Sequence, residues 1–226
     1  MTQRDAKLSR PHDGQKVRHT VNRYTILAPI YDFVSFEWPI YRPGRVAAID
    51  SLRLRPGLTV LVVGCGTGLS MPLLAHRLGG SGHIVGVDLS PDMLRTAGRH
   101  RRLPTDQTLI QSDATHLKAS DLPADLGPID AVLFAYSLSL MDPWRSAWSA
   151  TTTLLGSGTR IAIADMARPR RGGPLARAGA RALTAAGGSD IDAHPWQALE
   201  QTCTDVRSET FWGGHVRVYS GVWPGQ

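Results

Sequence analysis

Thr59-Val60-Leu61-Val62-Val63-Gly64-Cys65-Gly66-Thr67-Gly68 is an apolar run that breaks into alternating glycines, and twenty residues after the last of them a second apolar run ends in Asp88. A strand that turns on glycines into a helix, followed by a strand that ends in a carboxylate, suits an extended nucleoside. The glycines let the backbone approach the ligand, the helix start offers N–H groups, and the acid accepts hydrogen bonds from ribose hydroxyls. The first expectation is therefore a nucleoside-cofactor site. The dinucleotide fingerprint needs glycine at its first, third and sixth positions, and these are Gly64, Gly66 and Leu69. No lysine follows the glycines, which excludes the phosphate-binding loop of nucleotide hydrolases. A plain strand-to-helix turn carries similar glycines, so the decision needs further segments.

Beyond residue 57 the pattern alternates strand and helix, as in a parallel sheet covered on both faces. Strands are expected over 58–63, 84–87, 108–111, 129–135 and 160–164, and helices over 70–78 and from Ser90-Pro91-Asp92 to about residue 100. Asp142-Pro143 reads as the cap of another helix, whose Trp144, Ala147, Trp148, Thr151 and Leu155 recur at helical spacing and should pack on the sheet. Residues 206–212 and 215–222 flank Gly213-Gly214 and read as an antiparallel hairpin.

With 226 residues, 42% of them hydrophobic, the chain is long enough for one well-buried domain with decorations. Residues 1–18 read as a flexible basic tail, 19–56 as an N-terminal helical lid and 57–226 as the ligand-binding domain. No signal-peptide core and no run of about 20 apolar residues is present, so a cytoplasmic protein with at most peripheral membrane contact is expected. Cys65 and Cys203 offer no spacing for a disulfide framework or a zinc site, and no metal is expected. The net charge of +6 is compatible with anionic partners, but no nucleic-acid module accompanies it. A monomer or homodimer is expected.

In Val63-Gly64-Cys65-Gly66-Thr67-Gly68, in Asp88-Leu89, in Ser112-Asp113-Ala114 and in residues 130–137 the chain resembles the class I S-adenosylmethionine-dependent methyltransferases. The resemblance implies a Rossmann-like α/β fold: a seven-stranded, mostly parallel sheet of order 3-2-1-4-5-7-6, last strand antiparallel, with helices on both faces. It implies S-adenosylmethionine as cofactor and S-adenosylhomocysteine as product. Gly64, Cys65, Gly66, Thr67 and Gly68 would then cradle the cofactor, Asp88 bind the ribose, and Leu89 and Met93 line the adenine. Ser112, Asp113 and Ala114 would serve the adenine amino group, and Ala135 and Tyr136 would lie beside the methionine part. The plainer readings are that Asp88 is a turn acid and Asp113 a loop acid. Ala135-Tyr136-Ser137-Leu138 replaces the Asn/Asp-Pro-Pro-Tyr/Phe segment of enzymes that methylate base amines, which disfavours nucleic-acid bases. Family members commonly carry an acid two residues before the first glycine, where this chain has Val62.

Six of the fifteen aromatics, Tyr24, Tyr31, Phe33, Phe36, Trp38 and Tyr41, fall within eighteen residues. This segment resembles the lid of quinone C-methyltransferases and of phosphatidylethanolamine and betaine-lipid N-methyltransferases. Such a lid implies a small-molecule or lipid-like acceptor, contacted by Tyr31, Trp38, Tyr41, Tyr136 and Ser137, with Tyr24 on the cofactor. The same rings also suit a small core under the lid helices. In-line methyl transfer needs alignment and water exclusion, aromatic faces favour cations, and a base near neutral pKa removes the acceptor proton. Tyr31 and His215 are the catalytic candidates, His194 is a further base, and nitrogen is the preferred acceptor atom. Two rival readings stand: a cofactor-binding regulatory subunit without turnover, which Val62 keeps open, and an NAD-dependent oxidoreductase.

Overall fold

A computed structural model describes residues 40–100, 103–169 and 190–225. Among these residues seven strands form one sheet of order β3-β2-β1-β4-β5-β7-β6. The strands are β1 (Thr59–Val63), β2 (His83–Asp88), β3 (Asp106–Gln111), β4 (Ala131–Ala135), β5 (Arg160–Met166), β6 (Thr204–Phe211) and β7 (Val216–Val222). The first five pair in parallel, and β7 runs antiparallel between β5 and β6. This is the expected order and direction.

Every residue of β1 is buried, which explains its unbroken apolar sequence: both faces of a central parallel strand are covered. Successive residues point to opposite faces. Val60 and Val62 join a core with Ala48, Ile49, Met71 and Leu74, while Leu61 and Val63 join another with Phe134, Trp148 and Ile163. The first core is closed by helices α1 (Arg42–Ser51) and α2 (Met71–Arg77), the second by α4 (Trp144–Thr152) and α5 (Trp196–Thr202). Trp144, Ala147, Trp148, Thr151 and Leu155 are all buried, as their spacing predicts. Helix α3 (Pro91–Ala97) starts at Ser90, whose hydroxyl accepts from the Met93 N–H.

Three local expectations need correction. Asp142 is not the cap of α4: the N-cap position is Pro143, with no side-chain hydrogen bond, because the helix begins only at Trp144. The helix expected over 70–78 spans Met71–Arg77, with Ser70 at the N-cap position, where its hydroxyl accepts from the Arg45 guanidinium at 3.0 Å. The sixth strand ends one residue earlier than expected, at Phe211. Trp212 turns into left-handed backbone (φ 52°), and its indole N–H donates to the Ile40 carbonyl, fastening the hairpin tip to the start of α1. Of the expected lid, residues 40–56 are described; there α1 packs on the sheet through Gly44, Arg45, Ala48 and Ile49. No described helix is long and apolar enough to cross a membrane.

Candidate cofactor and acceptor site

The carboxyl ends of β2, β1 and β4 lie side by side, and each contributes one part of the site. At the end of β1 the chain makes its turn with Gly64, Gly66 and Gly68 at φ 68°, 56° and 83°, a conformation costly for any residue with a Cβ. The two leading glycines serve different ends. A Cβ on Gly64 would sit 2.5 Å from the Ser137 Cβ and 2.9 Å from the Met141 Cε, so the turn and the exit of β4 are in direct contact. A Cβ on Gly66 would meet nothing within 4 Å among the described residues, which leave the turn open on that side.

Asp88, at the end of β2, closes the other flank. Its carboxylate accepts from the Gly66 N–H at 2.8 Å and from the Ser90 N–H at 2.9 Å, while the Gly64 and Cys65 N–H groups donate to the Val87 carbonyl. The turn is thus stitched to β2 by three backbone N–H groups, those of Gly64, Cys65 and Gly66. Burial pushes the Asp88 carboxyl up, and the Ser90, Gly66 and Leu89 N–H groups pull it back toward its usual range. Each carboxylate oxygen carries a second lone pair, so holding the turn and accepting from a ribose are compatible roles. Cys65 is buried, and desolvation, then the charge of Asp88, pushes its thiol up. An inert thiol leaves the Cys65 backbone as its means of contact.

Beyond Asp88, Leu89 stands 42% exposed and Met93, in the first turn of α3, is buried, an apolar ledge of the kind an adenine ring would cover. At the end of β3, Asp113 caps a short turn: its Oδ1 accepts from the Thr115 N–H at 2.9 Å and hydroxyl at 2.7 Å. Desolvation raises the Asp113 carboxyl, but these bonds and the neighbouring His116 outweigh it and hold it below its usual value. The Ser112 hydroxyl faces Asp121 at 3.4 Å, and Ala114 is buried in the core.

The end of β4 is built from side chains. Tyr136 has left-handed backbone (φ 59°), a strained state for an aromatic residue. Its hydroxyl donates to the Tyr41 carbonyl at 2.7 Å, its ring lies 5.0 Å from that of Tyr41, and the Arg45 guanidinium carbon stands 5.3 Å from its centroid. Ala135 lies partly buried one residue before it. The Ser137 hydroxyl, expected to face an acceptor, instead donates to the Val63 carbonyl at 2.7 Å and ties β4 to β1. Its residue is buried, so its work is to hold the turn.

His215, in the turn just before β7, is a buried imidazole. Its Nδ1 lies 3.0 Å from the Ala167 carbonyl, its ring is 6.1 Å from that of Tyr41, and its Nε2 is buried with no hydrogen-bond partner. Desolvation lowers its pKa, which keeps the ring neutral at pH 7. The His194 ring lies 5.0 Å from that of Trp196 on α5, tilted by 43°. Tyr24, Tyr31 and Trp38 lie outside the described residues.

Two site residues went unnoticed in the sequence. Arg45 shares its helix face with Tyr41, Ala48 and Leu52, so an arginine in an apolar stripe was the available signal. Asp165, at the end of β5, is fully buried and accepts from the Ser139 hydroxyl (2.6 Å), the Ser139 N–H (3.1 Å) and the Met166 N–H (2.8 Å). Desolvation pushes its carboxyl to about 6 against these bonds. Its signal was a lone acid closing an apolar strand. Among the described residues no His/Cys/Asp/Glu group is arranged to hold a metal ion. A groove of about 730 Å³ between α1 and β6–β7, floored by Val46, Ala47, Phe211 and Val218, contains none of the glycine-turn residues.

Comparison with known proteins agrees with this geometry. Residues 60–158 match a family model described as a methyltransferase domain. Similar relatives include the 2-phytyl-1,4-naphtoquinone methyltransferase of Synechococcus elongatus, 31% identical over 145 residues, and the demethylmenaquinone methyltransferase of Listeria monocytogenes, 25% identical over 145 residues. Each match covers 63% of this chain, and the chain spans 61% and 60% of those relatives' lengths. Among solved structures, the N-methyltransferase NodS of Bradyrhizobium japonicum with S-adenosyl-L-homocysteine aligns with a TM-score of 0.60 at 14% identity, covering 83% of this chain and 90% of that one. The DhpI–SAH complex aligns with a TM-score of 0.59 at 18% identity, covering 92% and 97%. Residues 60–158 are thus similar to a methyltransferase domain, and the sheet order 3-2-1-4-5-7-6, with the solved-structure alignments, shows the fold that these methyltransferases share.

Proposed function

We propose that this protein transfers a methyl group from S-adenosylmethionine to a small aromatic or lipid-like acceptor of the quinol type. The observation that carries the reading is the glycine turn locked to Asp88 and open above Gly66, with an apolar ledge at Leu89 and Met93 beside it. The residues fit an adenosyl group: a carboxylate for the two ribose hydroxyls, a backbone without Cβ beneath the ligand, and Asp113 for an amino group. When bound, S-adenosylmethionine supplies a sulfonium methyl that is electrophilic without metal or covalent help.

The chain's own part is alignment, desolvation and proton handling. Gly64, Gly66 and Gly68 hold the turn, Asp88 fixes it, and Tyr136 with Tyr41 presents aromatic faces at the end of β4, where a cationic centre is favoured. With the cofactor bound, the acceptor would take the methyl group and give up its proton to a base held by this chain. His215 is the base we assign on the described side, because its imidazole is neutral and its Nε2 lone pair or proton is unspent. Tyr31 is the second catalytic candidate. Support for a quinol acceptor comes from the similarity to the naphthoquinone and demethylmenaquinone methyltransferases.

A nitrogen acceptor is the second reading, favoured by the aromatic pair, which suits an ammonium product as well as a sulfonium. Incubation with methyl-labelled S-adenosylmethionine and two panels, reduced 1,4-naphthoquinones and aminolipids, tests both, with products identified by mass. Label in the naphthoquinols supports the first reading, and label in the amines alone supports the second. No transfer to either, by a protein that binds S-adenosylhomocysteine, would leave the regulatory-subunit reading in their place.

A further inference from the structure

We propose that this protein forms a two-fold dimer in which strand β6 pairs with β6 of a second copy, centred on Ser208. The sheet ends at two edges, β3 and β6. Four of the six residues of β3 are partly buried, whereas seven of the eight residues of β6 are exposed. An exposed edge presents unpaired N–H and C=O groups along one side, a template for another strand. Of the three large apolar side chains exposed among the described residues, Val206 lies on β6 and Trp212 follows it. Apolar surface and open backbone thus coincide at this edge.

The side chains of β6 select the partner. Arg207 pairs with Ser220 of β7, Glu209 with Val218 and Phe211 with Val216, so these three share the α1 face of the sheet, while Ser208 and Thr210 point to the other. A two-fold axis perpendicular to the sheet makes the two copies of β6 antiparallel and sets residues of like face opposite each other, so the axis falls on a residue. On Arg207 it sets arginine against arginine and Asp205 against the partner's Glu209. On Glu209 it sets glutamate against glutamate, and on Thr210 it leaves Glu209 facing the partner's Phe211. On Ser208 it sets Arg207 against the partner's Glu209 and Glu209 against the partner's Arg207, two cross-strand pairs of opposite sign flanking a small residue.

A centre on Val206 would pair Arg207 with the partner's Asp205, but the strand is irregular there. The register shifts between Thr204 and Arg207, and Asp205 has left-handed backbone (φ 48°), so a bulge withdraws that end from pairing. Both charges are available at the preferred centre. Glu209 has no ion-pair partner among the described residues, and Arg207 pairs there with Asp205 alone, at 3.4 Å between side chains 63% and 50% exposed. A pair so exposed is weak and yields to a better-placed one. Pairing joins the two seven-stranded sheets into one and sets the two grooves lined by Arg207, Glu209 and Phe211 on the same face, on either side of the axis.

Sedimentation velocity of the full chain over a range of concentrations tests the pairing. A contact built on one short strand falls below the ~1,200 Å² of a standard stable interface, so a dimer that dissociates at roughly 10–100 μM is expected. Arg207→Glu and Glu209→Arg each set like charges opposite each other on both sides of the axis, and each should weaken the dimer by about tenfold or more. The double variant Arg207→Glu/Glu209→Arg reverses both signs and should return it to within about threefold of the wild type. Both side chains are exposed, so the fold should tolerate these changes. Ser208→Cys reads the register: it sets two thiols opposite each other and should give a disulfide-linked dimer under mild diamide oxidation, above the wild-type background. Thr210→Cys, opposite the partner's Val206, should not. A wild type that stays monomeric at about 200 μM leaves the edge to another partner and overturns the proposal. So does a dimer that ignores both charge reversals, one that the double variant fails to restore, or cross-linking through Thr210→Cys in place of Ser208→Cys.

Discussion

The two flanks of the glycine turn are made of different material. On the β2 side the site is backbone: three N–H groups stitch the turn to Val87 and Asp88, and left-handed glycines set its course. On the β4 side it is side chain: Tyr136 packs tilted against Tyr41 and under Arg45, Ser137 ties β4 to β1, and Asp165 holds the following turn through Ser139. Backbone recognition serves a ligand that does not vary, because it allows little adjustment. Side-chain packing can be altered residue by residue. The β2 flank therefore suits the cofactor, and the β4 flank suits whatever receives the methyl group.

The sharpest way to break this contrast is to load each glycine with a methyl. Gly64→Ala combines a left-handed backbone with a clash against Ser137, and should destabilise the fold by about 3 kcal/mol, read by urea unfolding. Gly66→Ala carries the backbone cost alone, roughly 1 kcal/mol, but should lose cofactor binding because the new methyl enters the open side. Equal destabilisation by the two would contradict the division between a packing glycine and a ligand-facing one.

Asp165→Asn probes the β4 flank at nearly the same scale. A carboxyl raised to about 6 in the fold binds its proton more tightly there than in the unfolded chain. Its contribution is thus fully present below the unfolded value near 4 and is lost as pH rises through 6. Relative to Asp165→Asn, the wild type should lose roughly 3 kcal/mol of stability between pH 4 and pH 7. Urea midpoints across that range check it, and a flat difference would show that the buried acid does not titrate there.

His215→Gln gives the opposite slope. A folded pKa held below 6.5 contributes stability above the unfolded value and loses it as pH falls through the folded one. The wild type should therefore weaken on acidification below about 6.5 relative to the variant. If His215 also takes the acceptor proton, kcat in the variant should fall while cofactor affinity is unchanged. Loss of both together would make it a packing residue. The smallest effect belongs to Tyr136→Phe, which removes the bond to the Tyr41 carbonyl at about 1 kcal/mol and leaves the β2 flank untouched.

The same contrast explains what could be read from the sequence. The strands, the hairpin and the turn were legible because they are local: four apolar residues in a row, Val60 to Val63, require two covered faces, and Gly64 to Gly68 announce a turn. The sheet order came from resemblance to a family rather than from periodicity. Asp88 was legible by its spacing from the turn, although its hold on the Gly66 N–H was not. Arg45, Ser139 and Asp165 were missed because their meaning arises from contacts 25 and 26 residues away in the chain, which no local pattern encodes. The mistaken cap at Asp142 has the same origin. A composition that favours capping was overridden by where the chain had to enter α4.

The most direct measurement is calorimetric titration of S-adenosylhomocysteine into the wild type and Asp88→Ala. The account predicts micromolar binding by the wild type, and at least a hundredfold loss in a folded Asp88→Ala, which removes both the ribose acceptor and the Gly66 tie. Undiminished binding in that variant, or none by a folded wild type, would contradict it.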